Sequence, residues 1–146
     1  MKIKIINTSG YPNPSYAIKG DSGMDIRTCI KEPVTLKPLE RKLFPTGIRI
    51  ELPKDYELQV RPRSGLALKK GLTVLNTPGT IDELYRGEIG VILINLSSEP
   101  VTIEPGDRIA QLVLAKVSKV SEFENIEFFE NETERGEGGY GNTGIK

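Results

Sequence analysis

The chain has 146 residues, 37% of them hydrophobic, with twenty acidic and twenty basic side chains, no histidine and one cysteine. Such a length predicts one domain or one subunit of an oligomer, and the balanced charge gives no broad field for DNA, RNA or an anionic membrane. Without histidine there is no Ser-His or Cys-His nucleophile and no zinc site built on imidazole, so a carboxylate, lysine or tyrosine must handle any proton.

The opening Met1–Ile6 alternates Lys and Ile and is too short for a signal peptide. The lone Cys29 cannot form an intramolecular disulfide. Together they predict a cytoplasmic protein, with the nucleus open for a eukaryotic or viral source. No apolar run approaches the length that spans a membrane.

The first polar block is Gly20-Asp21-Ser22-Gly23-Met24-Asp25-Ile26, which reads as an Asx-type turn leading into a strand. Strict alternation follows at Gly47–Leu52 and at Tyr56–Arg61. The second block, Arg61-Pro62-Arg63-Ser64-Gly65-Leu66-Ala67, brings an arginine, a hydroxyl and a glycine-opened amide together, as a phosphate cradle needs. A Ser64 dyad with Lys69 or Lys70 is the alternative chemistry for this block. Residues 65–71 leave room for about a turn or two of helix, the nearest thing to a helical stripe in the chain.

The third block, Asn76 to Gly90, carries an amide, the carboxylates Asp82 and Glu83, and the phenol of Tyr85. A hairpin reversing near Glu83 would face Asn76 with Gly90, leaving a slot for a flat polar ring beside a backbone without a side chain. Asp82 would then sit near the hairpin tip. Val91–Ile94 is apolar on both faces and predicts either a strand covered by a second subunit or the centre of a monomeric sandwich.

In the fourth block, Pro105–Leu112, Gln111 interrupts an apolar strand, so its amide is either a satisfied core group or a site ligand. The fifth, Arg135–Gly144, places glycines around Arg135 and Tyr140 in an end segment of low hydrophobicity. Short alternating runs separated by Pro and Gly predict an all-β barrel or sandwich.

The five blocks in this order resemble the motifs of the trimeric dUTP diphosphatase (dUTPase) family, from about Pro14 to Gly144. The resemblance implies a jelly-roll-like β-barrel over residues 1–130, and a flexible glycine-rich arm over residues 131–146 that closes on a neighbouring site. It implies a homotrimer with shared active sites, and hydrolysis of dUTP to dUMP and pyrophosphate. That reaction keeps uracil out of DNA and supplies dUMP for thymidylate synthesis.

By the same resemblance Asp82 is the catalytic carboxylate. Arg63, Ser64, Gly65 and Gln111 serve the phosphates. Asn76 and the backbone at Gly90 serve the base, Thr80 and Ile81 belong to the substrate site, and Tyr85 packs against the deoxyribose. Arg135 clamps the γ-phosphate, and Tyr140 with Gly141 forms the lid over the uracil. Mg²⁺ is the implied cofactor, held mainly by substrate phosphates, with Asp25 reaching it through water. Tyr140 stands where the family more often has phenylalanine, Asn142 where it has serine or histidine, and Glu83-Leu84 where it has a more usual polar pair. A dCTP deaminase of the same superfamily and a non-catalytic binding protein on the same barrel are the alternatives.

Overall fold

In the computed structural model the described residues are 1–131 and 133–139. They form eleven strands and one short helix. The strands are β1 (Lys4–Asn7), β2 (Met24–Arg27), β3 (Val34–Leu36), β4 (Arg41–Pro45), β5 (Ile48–Glu51), β6 (Tyr56–Arg61), β7 (Leu72–Val74), β8 (Gly79–Ile81), β9 (Gly90–Asn95), β10 (Val101–Ile103) and β11 (Arg108–Lys116). The helix α1 (Ser64–Lys70) lies between β6 and β7.

A four-stranded sheet runs β2-β11-β6-β8, a three-stranded sheet runs β4-β9-β7, and two ladders pair β1 with β5 and β3 with β10. Every pairing is antiparallel. The architecture is a jelly-roll-like β-barrel: all-β, as the alternating pattern predicts, and of the form that the family resemblance implies. Its core is filled from inward positions two apart: Leu58 and Val60 on β6, Val91 and Leu93 on β9, Ile48 and Ile50 on β5.

Among the described residues three polar side chains are buried, and each is satisfied. The Thr28 hydroxyl donates to the Pro45 carbonyl, that of Thr46 to the Ile89 carbonyl, and the Asn95 amide to the Leu36 and Glu99 carbonyls.

Strand β9 alternates in burial: Val91, Leu93 and Asn95 point inward, while Ile92 and Ile94 are half-buried on the outer face. The outer face is therefore apolar too. Leu43 and Leu75 lie exposed near it at 61% and 45%. The α1 helix falls where the sequence leaves room for it. It ends at Gly71, whose φ of 64° places it in the left-handed region that a non-glycine residue adopts at a cost.

The third block departs from a simple hairpin. β7 and β9 do pair, with Val74 opposite Leu93. Between them, however, Gly79–Ile81 leaves the pair and joins the other sheet, with Ile81 opposite Leu58 and Gly79 opposite Val60. Extending the β7–β9 register puts Asn76 across from Val91, one residue away from Gly90. The reversal therefore contains a strand of its own, and Asp82 stands where that strand ends.

Candidate active site

Strands β2, β6 and β11 lie side by side, and their register brings three of the blocks together. Gln111 is opposite Asp25 on one side and Arg61 on the other. Arg63, just past the end of β6, reaches back so that its Nε lies 2.8 Å from Asp25 Oδ1, and its Nη1 donates to the Arg108 carbonyl at 2.9 Å. Arg108 closes the arrangement with Nη1 3.2 Å from Asp25 Oδ2. Two guanidiniums share one carboxylate, leaving an excess of positive charge at a part-buried surface, which suits an anionic ligand.

Arg108 was not among the residues the sequence singled out. The signal that could have found it is cross-strand: Arg108 lies opposite Arg27, and like charges in register repel unless other groups engage them. Arg108 turns to Asp25, and Arg27 donates to the Gly106 carbonyl at 2.6 Å.

Gln111 is both satisfied and available. Its Nε2 donates to the Pro62 carbonyl at 2.8 Å, and its side chain lines an open cavity of about 620 Å³ with Asp25 and Arg108. Its place depends on Gly23, where an added Cβ would lie 2.0 Å from Gln111 Oε1. Ser64 opens α1 and is exposed. The amides of Ser64 and Gly65 stand at the helix start, where no intrahelical acceptor exists. A Cβ added to Gly65 would meet open space, so its amide is approachable. No hydrogen bond joins Ser64 to Lys69 or Lys70 among the described residues, and the dyad is not assembled.

The second group forms around β8. Thr80 and Ile81 lie on that strand, opposite Gln59 and Leu58. After it the chain turns, with the Tyr85 amide donating to the Asp82 carbonyl at 3.1 Å. The Tyr85 hydroxyl donates to the Glu88 carbonyl at 2.9 Å, and its ring lies over Gly87, where an added Cβ would come within 2.3 Å of the phenol oxygen. Arg86 Nη1 donates to the carbonyls of Glu83 and Tyr85.

Glu83 accepts from the Asp55 amide and from Lys119 Nζ, the latter at 2.7 Å. The Lys119 bond and then the Asp55 amide hold its carboxyl below the usual carboxylate range. By contrast the Asp82 side chain is exposed and makes no hydrogen bond or ion pair among the described residues. Asn76 leans over the neighbouring strand, its Nδ2 3.3 Å from where a Gly79 Cβ would be. The space beside Gly90 is occupied by Leu43, whose Cδ1 would lie 2.6 Å from an added Cβ. In the single chain, then, the Asn76 amide and the Gly90 backbone do not form the facing slot that the hairpin register predicts.

The two groups do not meet in one chain. Asp25 is on β2 and Asp82 follows β8, the two outer strands of the same sheet, and they are also displaced along the strand direction. Strand spacing and rise put them roughly 20 Å apart along the sheet.

Within the fifth block, Arg135 is exposed and its Nε donates to the Gly138 carbonyl at 2.9 Å. Tyr140 and Gly141 lie outside the described residues, as does most of the glycine-rich end of the block.

Comparison with known proteins bears on this arrangement. The dUTPase family model matches residues 10–144. This chain belongs to the dUTPase family. It is 54% identical over 144 residues to the deoxyuridine 5′-triphosphate nucleotidohydrolase of Fusobacterium nucleatum, covering 99% of this chain and 97% of that one. It is 58% identical over 132 residues to the enzyme of the same name from Treponema denticola, covering 90% of each.

Among solved structures, the dUTPase of Staphylococcus bacteriophage 80alpha with dUPNHPP superposes with a TM-score of 0.83 at 28% identity, covering 99% of this chain and 98% of that one. The dUTPase of phage phi11 of S. aureus, solved as a mutant in which a structural Mg(II) ion is coordinated, matches with a TM-score of 0.77. It is 23% identical, covering 90% of this chain and all of that one, and so shares the fold.

Proposed function

We propose that the chain hydrolyses dUTP to dUMP and pyrophosphate. The observation that carries this reading is the contrast at the turn after β8. The side chains of Glu83, Tyr85 and Arg86 are engaged in holding the turn, while the Asp82 carboxylate within it has no hydrogen-bond or ion-pair partner among the described residues. A carboxylate with free lone pairs in a braced turn can orient a water and take its proton. The alternatives fit less well. A dCTP deaminase would need a different acid/base residue in place of Asp82 and Tyr85, and a non-catalytic protein would be expected to have lost one of these groups.

In this reading Asp82 aligns water with the α-phosphorus. Arg63 and the amides of Ser64 and Gly65 stabilise charge on the phosphate oxygens, with Gln111 beside them. Asn76, Thr80, Ile81 and the backbone at Gly90 read uracil edge-on. A slot matched to one hydrogen-bonding edge leaves buried groups unpaired with cytosine, which can be worth roughly 10⁴- to 10⁵-fold. Tyr85 closes the space that a ribose 2′-hydroxyl would need. Arg135 engages the γ-phosphate, and Tyr140 with Gly141 covers the base. Residues 131–146 act as the closing arm on the barrel of residues 1–130. The compartment we propose is the cytoplasm.

The active unit is a homotrimer with shared sites. Two observations support it. The phosphate group around Asp25 and the hydrolytic turn around Asp82 are too far apart to serve one nucleotide within a chain. The outer face of β9 is apolar where a second subunit would cover it, and the same contact would move Leu43 and open Gly90 to the base.

Mg²⁺ fits the donor set. Among the described residues no three His, Cys, Asp or Glu side chains cluster to hold an ion directly. Phosphate oxygens and water would therefore be the inner ligands, and Asp25 has lone pairs left beyond its two arginines to accept from that water. Bound there, the ion would neutralise phosphate charge and fix the conformation of the triphosphate.

Pyrophosphate release from dUTP, with dCTP, UTP and dTTP as comparisons, tests the reaction. Ammonia release from dCTP instead would establish the deaminase. Mixed assembly tests the sharing. Chains carrying Asp82→Asn and chains carrying Arg63→Ala, each inactive alone, should regain turnover when unfolded and refolded together. No recovery would leave each site within one chain.

A further inference from the structure

The turn that carries Asp82 is tied to two distant segments through one side chain. Glu83 Oε2 accepts from the amide of Asp55, in the β5–β6 turn, and Oε1 accepts from Lys119 Nζ, three residues past the end of β11. Asp55 has a φ of 64°, in the left-handed region, and its carbonyl accepts from the Val117 amide at 2.9 Å. Three pieces of chain therefore meet at one point: the β5–β6 turn, the turn after β8 and the exit of β11. Tyr56, Leu84 and Val117 line a depression of about 320 Å³ there, with Asp82, Glu83 and Lys119.

The joint is selective. The Glu83 side chain is 19% exposed and has both oxygens engaged, while Asp82 beside it is exposed with neither oxygen engaged. Chain connectivity then makes Glu83 the lever. Its Cα is one peptide from that of Asp82, so fixing its side chain at two points restricts where the Asp82 backbone can lie. The Lys119 ammonium is held in its charged form first by the Glu83 bond, and further by the charges of Glu83, Asp55 and Asp82.

We propose that Glu83 is the positioning residue for the hydrolytic carboxylate: clamped between the Asp55 amide and the Lys119 ammonium, it holds Asp82 where it can order the attacking water. The proposal rests on the reading of Asp82 as the base. It gives a role to Glu83, the first residue of the Glu83-Leu84 pair in the third block. It also links the hydrolytic turn to the root of the C-terminal segment, since Lys119 is where that segment leaves the barrel.

The test uses the full chain with Mg²⁺ and dUTP, and measures kcat, KM and thermal midpoint for the parent, Glu83→Gln, Lys119→Met and the double variant. Parent turnover tests the proposed reaction, and the ratios of variant to parent test the positioning role, so the two can fail separately. Glu83→Gln should lower kcat by about tenfold or more, since a small misplacement of a reacting group costs up to about 10²-fold. KM and the thermal midpoint should stay near the parent's. Lys119→Met should lose less, and the double variant no more than Glu83→Gln alone, because the pair acts as a unit. Added salt should lower the parent's kcat towards that of Lys119→Met and leave Lys119→Met flat. A parental kcat in Glu83→Gln, losses that add in the double variant, or a loss confined to KM or thermal midpoint would each overturn the proposal. Should Glu83→Gln fail to fold, Lys119→Met at its exposed position decides, and an unchanged kcat there overturns it.

Discussion

Asp25 and Asp82 stand at the two outer strands of one sheet, and their surroundings are opposite. Asp25 is 30% exposed and spends both oxygens on Arg63 and Arg108. Asp82 is exposed and spends neither, while Glu83, Tyr85 and Arg86 beside it make the bonds that hold the turn. A carboxylate engaged by two guanidiniums is an organiser of charge, and in the proposed reading it sets the arginines where phosphate oxygens can reach them. A carboxylate left open in a braced turn is a chemical group. In the proposed reading the sheet separates electrostatics from proton transfer, and a second copy of the chain would bring them together.

The largest effect that could break this contrast is at Asp82. Asp82→Asn keeps the shape and removes the proton acceptor, so kcat should fall by at least about 10²-fold with dUMP binding intact. A near-parental kcat would remove the distinction between the two carboxylates.

Sugar selection sharpens the Asp82 side of the comparison. Tyr85→Ala should narrow the preference for dUTP over UTP, by roughly 10- to 200-fold if the ring sets the fit of that pocket. Gly87→Ala should narrow it too with the phenol still present, because an added Cβ would come within 2.5 Å of Tyr85 Cζ and push the ring aside. If Tyr85→Ala discriminates as the parent does, the floor under the sugar lies elsewhere.

On the Asp25 side, Gly23→Ala should dislodge Gln111 without unfolding the barrel. The group in the way is the end of a movable side chain, 2.0 Å from the new Cβ, so the fold can absorb it. Gln111 would lose its bond to the Pro62 carbonyl, and a hydrogen bond of ordinary strength corresponds to about a three- to tenfold loss of turnover. The thermal midpoint should stay close to the parent's. A large drop in midpoint would mean that Gln111 is a core residue first.

Much of this was legible in the sequence because it is local. Alternation at Gly47–Leu52 and Tyr56–Arg61 marks β5 and β6, and the Gly65–Gly71 stretch marks the helix α1, which starts at Ser64 and ends on its glycine cap. Gln111 could be read as an amide in need of partners because a polar residue inside an apolar strand is itself a local signal. What stayed hidden depends on pairing between distant segments. Nothing in Gly79–Ile81 announces that this three-residue strand leaves its own reversal to pair with β6. The Asp25–Arg108 ion pair needs the β2–β11 register to be known, and the Glu83–Lys119 contact needs the exit of β11 to lie beside the β5–β6 turn.

The smallest effect concerns pH, and it tests whether the brace beside Asp82 is electrostatic. Bonding to Lys119 and to the Asp55 amide lowers the Glu83 carboxyl from its ordinary 4.5, and bonding to Glu83 raises the Lys119 ammonium from its ordinary 10.5. A lowered carboxyl contributes stability that is present above the unfolded value and is lost as pH falls through the folded one. A raised ammonium contributes stability that is fully present below the unfolded value and is lost as pH rises through the folded one. The pair therefore contributes fully between about pH 4.5 and pH 10.5 and fades on either side of that window. The contribution is small, since Lys119 is 55% exposed and salt screens such pairs. Thermal midpoints of the parent and Lys119→Met, measured across pH at low ionic strength, should differ by a steady small amount inside the window. The two curves should converge at the acid end, where Glu83 is protonated, and at the alkaline end, where Lys119 loses its proton. Curves that stay parallel through the acid limb would mean that the Asp55 amide alone holds Glu83. The lysine would then have no part in keeping the hydrolytic turn in place.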